Sequence, residues 1–460
     1  MKIIFIILII LISSTITYIT FPLSSDNYNL TSVDTPKQLI NKLLDSKLYI
    51  IINIGSQKIN VKAYLVLIGV ELIISGKDIK NHKYNESNSD SYNCTYCNNR
   101  TFSSALFDGI FSVEDFNIIN ENNEINTVHN IKFILGKKSR NSVSPEGIVG
   151  LHLPYYDSDP DYNLIVSLKK AKATNSYNWY LDFSNFKSNE SKMVIDGFPH
   201  DMNNKRYRQE NFIKTNVIDD NGGYNIIWGL KFSQIYYSNQ YINISLEYEP
   251  ISKIQFNYKL ISAPNETIKI LEKNFFGEYF EKNICFIDNL GDYKETFIYC
   301  KNIKEFDIKK FKNIYFKSKD LQNIFELTYE DLFYYKDDYV YFLLVFKSSS
   351  WIFGELFLKK YYLVFNQDEK TIGYYMNIEE KSSTIDNKNN NMNNENQIIL
   401  KTLIYILLGL ILIAIIIFTI LLYTKKGKRK NRVNELDDNY EYNAKINDSN
   451  CDFDNNKIIE

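Results

Sequence analysis

Apolar, β-forming runs dominate the middle of the chain, from about residue 23 to residue 378. Leu48-Tyr-Ile-Ile-Ile-Asn-Ile-Gly55 is one such run, closed by a glycine. Ile59 to Ile74 is another, broken at Gly69, and Tyr339–Phe346 and Tyr361–Phe365 follow late in the chain. These lengths and compositions predict strands rather than long helices. Strand signals crowd both ends of the region, which argues against alternating βαβ units and a parallel sheet. Gly147-Ile-Val-Gly150-Leu and Trp351-Ile-Phe-Gly354-Glu each set two apolar residues before a glycine. A glycine there lets a strand pass close under another backbone. Two such elements, about two hundred residues apart, predict a body built from two related halves.

The ends read differently. Met1-Lys2 leads into an apolar run from Ile3 to Ile12, then Ser13 and Ser14. That is the pattern of a secretory signal, assigned to residues 1–22. Residues 378–401 are rich in Asn, Lys, Ser and Glu without apolar spacing and read as a stalk. Thr402 to Tyr423 carries no charge and is long enough to span a bilayer as one helix. Lys425, Lys426, Lys428, Arg429, Lys430 and Arg432 follow at once, which places that side in the cytosol. The remainder of 425–460 is acidic and Asn-rich and reads as a disordered tail. Signal and span together predict a type I membrane protein of the secretory pathway or cell surface.

Composition adds exclusions. With 45% hydrophobic and 23% charged residues, wholesale disorder is ruled out. Lys+Arg number 53 against 55 Asp+Glu, so no basic surplus points to nucleic acid. Of five cysteines, Cys94, Cys97, Cys285 and Cys300 fall outside the membrane and Cys451 in the tail. An even external set fits two disulfides in an oxidising compartment. Zinc at Cys94-x-x-Cys97 would need two further ligands, and the four histidines stand singly, so a local disulfide is the better reading. No metal and no cofactor is expected. Glycosylation sequons stand at Asn29, Asn85, Asn93, Asn99, Asn189, Asn243 and Asn265.

Trp351-Ile-Phe-Gly-Glu-Leu-Phe-Leu-Lys-Lys-Tyr-Tyr-Leu-Val-Phe and its continuation to Gly373 are similar to the C-terminal signature of pepsin-like aspartic proteases. Other segments resemble the family's landmarks in the right order: Tyr49–Gly55 with Gln57, Gly109–Asp115, Pro145–Leu151, Met193–Phe198 and Phe325–Leu332. The resemblance covers roughly residues 45 to 376. It implies an all-β, bilobal pepsin-like fold, with lobes at 45–205 and 206–377, ahead of the single transmembrane helix. It also implies that Cys285 and Cys300 form the second-lobe disulfide and Cys94 and Cys97 a shortened first-lobe one. Membrane-anchored forms of this kind resemble plasmepsin-like proteins of parasitic protists, with the microgametocyte surface proteins as a further likeness.

The family cleaves peptides with two aspartates, one in an Asp-Thr/Ser-Gly loop of each lobe. Sharing one proton, they activate a water and protonate the leaving group. Aligning Gly69 with the first loop's glycine puts Leu67 at the aspartate and Ile68 at the threonine. In the second lobe Leu260-Ile-Ser-Ala-Pro264 resembles the strand leaving the loop. Counting back puts Gln255 at the aspartate, Phe256 at the threonine and Asn257 at the glycine. Phe102 takes the place of the flap tyrosine. Leucine has no proton to move and an amide does not titrate. The sequence thus predicts a pseudoprotease whose cleft, lined by Ile68, Gly69, Phe102, Phe256 and Asn257, binds a polypeptide. The alternative is an active aspartic endopeptidase, if the loops align in another register.

Overall fold

A computed structural model describes residues 18–375, apart from 27–34, 68, 81, 96–100, 105, 121–123, 141–143, 154–158, 184–190, 203–206, 220–225, 239, 243–250, 257, 291–294, 318–323 and 349. The chain to Asn377 forms one compact unit. The expected stalk, spanning helix, tail and all but the end of the expected signal lie outside the described residues. Among the described residues no helix is long and apolar enough to cross a membrane.

The first half is built on strands. β1 (Ile19–Ser25) is followed by helix α1 (Pro36–Asp45), then β2 (Leu48–Ile54), β3 (Ile59–Val66) and β4 (Leu72–Ser75). In β2 every second side chain is buried, as expected where one face of a sheet meets a core. Two short strands, β5 (Asn93–Cys94) and β6 (Thr101–Ser103), both pair with the first strand of the long hairpin of β7 (Phe107–Asn120) and β8 (Ile125–Ser139). The half closes with β9 (Gly147–Gly150), helix α2 (Leu164–Lys170), β10 (Asn178–Asp182) and β11 (Lys192–Ile195).

The second half begins with β12 (Phe212–Asn216) and continues through β13 (Ile251–Ile254) and β14 (Ile261–Pro264). A hairpin of β15 (Cys285–Leu290) and β16 (Glu295–Lys301) is clasped by the Cys285–Cys300 disulfide across its first paired position. Then come β17 (Tyr339–Phe342), β18 (Leu344–Ser348), β19 (Trp351–Phe353), helix α3 (Glu355–Lys360), β20 (Val364–Asn366) and β21 (Thr371–Tyr375). The fold is mostly β, as the sequence predicts.

The two halves share a floor. Six strands lie in the order β12-β21-β20-β10-β11-β1, so β20, near the end of the described residues, pairs with β10 of the first half. One continuous core runs through both, from Ile50 and Val61 to Trp179, Phe256 and Phe365.

Two elements depart from the sequence expectation. Ile19–Pro22, assigned above to the signal, is the first four of the seven residues of β1. Ile19, Phe21 and Leu23 are buried, and β1 pairs with β11, β2 and β7. A signal extending to Pro22 would remove strand that the sheet uses. Helix α1 was not foreseen, although its start signals are present: Thr35 accepts a hydrogen bond from the Gln38 N–H, and Pro36 occupies the first turn.

Candidate functional site

The same threaded unit occurs once in each half. In the first, β9 runs parallel to β3 (Ala63 opposite Gly147, Val66 opposite Gly150) and antiparallel to β4 (Leu72 opposite Val149). In the second, β19 runs parallel to β13 (Ile254 opposite Phe353) and antiparallel to β14 (Ile261 opposite Phe353). A loop leaves one strand, passes the central strand's glycine and returns on its other side. The glycines are required there. A Cβ on Gly150 would stand 2.6 Å from the Val70 carbonyl carbon and 2.7 Å from the Gly69 oxygen. One on Gly354 would stand 2.1 Å from the Tyr258 oxygen. Gly69 itself has φ +98°, a conformation that favours glycine.

This register fixes how the loops correspond. Leu65 and Ile254 lie opposite the residue before each glycine, and so do Leu72 and Ile261. Both pairs are 189 residues apart (65 to 254, 72 to 261), so each loop spans six residues, 66–71 and 255–260. Val66 is then the counterpart of Gln255, and Leu67 that of Phe256. Anchoring on Gly69 in the sequence had instead paired Leu67 with Gln255. The difference is one place, because Gly69 corresponds to Tyr258 and not to Asn257.

Val66 is half-buried and packs with Phe102 against the cluster of Ile73, Phe111 and Ile148. Leu67 packs on the main core. Gln255 is half-buried, and its backbone N–H donates to the Phe353 carbonyl at 2.9 Å. Phe256, 1% exposed, lies 5.3 Å from both Trp179 and Phe365, ring centre to ring centre. Trp179 stacks on Phe365 at 4.4 Å and meets Trp228 edge-on, while the Trp228 indole N–H donates to the Leu151 carbonyl at 2.6 Å. An aromatic block thus fills the junction beneath the second loop and ties it to the first half. Phe102 lies on β6, in the hairpin with β7, and its ring is edge-on to Phe111 at 6.4 Å. Ile68 and Asn257 lie outside the described residues.

Of the twelve loop residues, Glu71 alone carries a carboxylate, and the sequence reading passed over it. Its Oε2 accepts the Val70 N–H at 3.2 Å, and its carbonyl accepts the Gly150 N–H. Its counterpart in the second loop is Leu260. Behind the second loop, the first N–H groups of α3 hold the loop's carbonyls: Glu355 donates to Tyr258 and Leu356 to Lys259. Glu355 also pairs with Lys359, whose ammonium is pulled below its ordinary range by burial despite that partner. Burial, helped by the Glu295 charge, raises the Tyr258 phenol. Three carboxylates elsewhere in the body, Asp108, Asp196 and Asp288, have their own partners. Asp108 pairs with Arg140 and accepts from Ser103, Asp196 accepts the Asn175 N–H, and Asp288 accepts the Asn289 N–H.

Among the described residues no cluster of His, Cys, Asp and Glu could hold a metal ion. Cys94 is disulfide-bonded, and Cys97 lies outside the described residues. Of the sequon asparagines, Asn93 and Asn265 are exposed and Asn85 caps a short helical turn through Ser87 N–H. Asn29, Asn99, Asn189 and Asn243 lie outside the described residues.

The sequence model of the eukaryotic aspartyl protease family matches residues 47–376, nearly the whole of the described body. The chain belongs to that pepsin-like family. A search of curated proteins finds no match.

Proposed function

We propose that this protein is a pepsin-fold ectodomain that binds a polypeptide and does not cleave it. One observation carries the reading: the paired loops hold Val66-Leu67 against Gln255-Phe256 where the family's chemistry needs two acids. A carboxylate dyad works because two acids share a proton at close range. The single carboxylate Glu71 has no acid opposite it in the second loop. The aromatic block around Phe256 supports the same reading, since it fills the junction beneath the second loop with apolar contacts. A buried, unpaired acid there would cost several kcal/mol, about what burying any uncompensated charge costs.

The rest of the proposal rests on the chain ends and the resemblance. The protein is held in a secretory or surface membrane by residues 402–423, with its tail in the cytosol and glycans outside. Its role is recognition at the surface of a parasitic protist, akin to plasmepsin-like and microgametocyte surface proteins. The test is binding of a displayed random-peptide library to the purified protein, with competition by the enriched peptides. Enriched sequences that lose binding when Phe102 or Gln255 is changed would support the groove. No enrichment above an unrelated glycoprotein would overturn it.

A further inference from the structure

Two neighbouring hollows on the first half are lined by no residue of either loop. The larger, about 670 Å³, lies between the first part of β8 and the C-terminal end of α2. That volume accepts a small ligand. Three ammonium groups line it, Lys132 on β8 with Lys170 and Lys172 at the end of α2, against a single carboxylate, Asp161. Asp161 holds two of the three together: Lys132 Nζ lies 2.6 Å from its Oδ2, and Lys170 bonds its Oδ1. Burial alone would raise the Asp161 carboxyl, but these two lysines outweigh it and hold it below its ordinary value. An ammonium has three donors, and each of the pair spends one on Asp161, so donors remain for a ligand. Strand and helix are tied by Ser167, 4% exposed, whose Oγ accepts the Lys132 N–H at 2.9 Å. Lys172 occupies a position that favours another residue. Its N–H bonds the Lys169 carbonyl and that of Ala173 the Leu168 carbonyl, the closing pattern of a helix that ends in a left-handed residue. Glycine is usual there, yet Lys172 holds φ +60°. Glycine would serve the cap better, and what the lysine adds is a charge at the cavity. The smaller hollow, about 300 Å³, includes Ser91, Asn117 and Thr127, the carboxylates of Asp90 and Asp115, and Lys58. Thr127 lines both hollows, and the Asp115–His129 pair, Oδ2 to Nδ1 at 2.8 Å, joins one to the other.

We propose that the two hollows form one binding site for a saccharide that carries an anionic group, with the anion seated on Lys132, Lys170 and Lys172 and the sugar hydroxyls on Ser91, Asn117 and Asp115. The division follows from charge. Three ammonium groups against one carboxylate make the larger hollow a seat for an anion, held by charge-assisted hydrogen bonds. Two carboxylates against one ammonium make the smaller hollow repel a second anion, while those carboxylates accept hydrogen bonds from hydroxyl groups. A free sulfate or phosphate would fill only the first hollow, and a neutral sugar only the second. The site stands apart from the polypeptide-binding reading above, since neither Phe102 nor any loop residue lines it.

The test is titration calorimetry on the detergent-solubilised full chain, with a melting curve on each variant. The probes are the 6-sulfated chondroitin disaccharide, its unsulfated form, lactose and inorganic sulfate. The expected result is that at least one of the two charged disaccharides binds about tenfold tighter than lactose or inorganic sulfate, and comparing the two tells sulfate from carboxylate as the seated group. Lys172→Gly removes one ammonium where the backbone favours glycine, so it should weaken binding about threefold without lowering Tm. Lys170→Gln/Lys172→Gly should weaken it about tenfold, and Lys231→Gln, exposed on the second half, should leave it unchanged. Ser91→Ala, in the smaller hollow, should weaken the charged disaccharide about threefold at an unchanged Tm. No binding of either charged disaccharide at millimolar concentration would overturn the proposal, and so would equal binding by wild type and the double lysine variant. Inorganic sulfate or lactose binding as tightly as the charged disaccharides would overturn the two-part site, and so would a Ser91→Ala protein that binds them like the wild type.

Discussion

Replacing Phe256 tests whether the loop junction is an apolar joint. The ring is 1% exposed and 5.3 Å from the rings of Trp179 and Phe365. Truncating a buried Phe to Ala costs about 3–5 kcal/mol, and each aromatic pair adds about 0.5–1.5 kcal/mol to what area alone predicts. With two pairs broken, about 4 kcal/mol is the working figure. At about 2.1 cal/mol/K per residue, a folded unit of roughly 360 residues has an unfolding entropy of about 0.75 kcal/mol/K, so Phe256→Ala should lower Tm by about 5 °C. Phe256→Thr is the sharper change, because threonine is what the family resemblance places at this position. A hydroxyl set among Trp179 and Phe365 finds an apolar neighbourhood and adds roughly 1–3 kcal/mol for an unmet hydrogen bond. Threonine should therefore be at least as costly as alanine. Differential scanning calorimetry at neutral pH measures both, with Tyr335→Ala, at a half-exposed ring, as the control expected to shift Tm by under about 1 °C. A Phe256→Thr protein that melts with the wild type would refute the apolar joint.

Other expectations follow from single features. Mass spectrometry of the mature protein should place its N-terminus at or before Ile19, and a chain begun at Leu23 should melt lower, since Ile19 and Phe21 are buried in the shared sheet. Cys285→Ala/Cys300→Ala should cost about 3 kcal/mol, the loop-closure value for a bridge across some 15 residues, read as a denaturant midpoint. Gly354→Ala should leave no correctly folded protein in a secretion assay, because its Cβ would meet the Tyr258 oxygen. Burial alone would raise the Glu86 carboxyl, but the Lys137 ammonium and the Lys77 backbone N–H outweigh it and hold it below its ordinary value. A depressed carboxyl stabilises above its unfolded pKa and loses that contribution as pH falls through the folded one. Stability should thus decline below about pH 4.5, the ordinary glutamate range, and Glu86→Gln should flatten the Tm-against-pH curve there.

Much of the architecture could be read from the sequence because it depends on local patterns. The glycine elements at Gly150 and Gly354 and the alternating run at Leu48–Ile54 follow directly from what a threaded strand and a half-buried strand require. The elements missed are those whose meaning depends on distant partners. The start signals of α1, Thr35 and Pro36, are legible, but nothing local says that Leu39 and Ile40 meet Tyr258 and Ile352. Ile19–Pro22 resembles the end of an apolar leader until its pairing with β11 is seen. The loop register slipped by one place because Gly69 offers a glycine where a glycine was sought, while the strand pairing that fixes the register involves residues about eighty positions away. Glu71 went unnoticed because its position relative to Gly150 is set by that same pairing.

The most direct measurement is hydrolysis of an unfolded protein substrate by the purified full chain, followed from pH 3 to pH 7 with and without pepstatin. The account predicts no pepstatin-sensitive cleavage at any pH, since Val66 and Gln255 are counterparts in the two loops and Glu71 is the one carboxylate among the twelve loop residues. Cleavage that rises in acid and stops with pepstatin would mean that two acids do meet between the halves, and would contradict it.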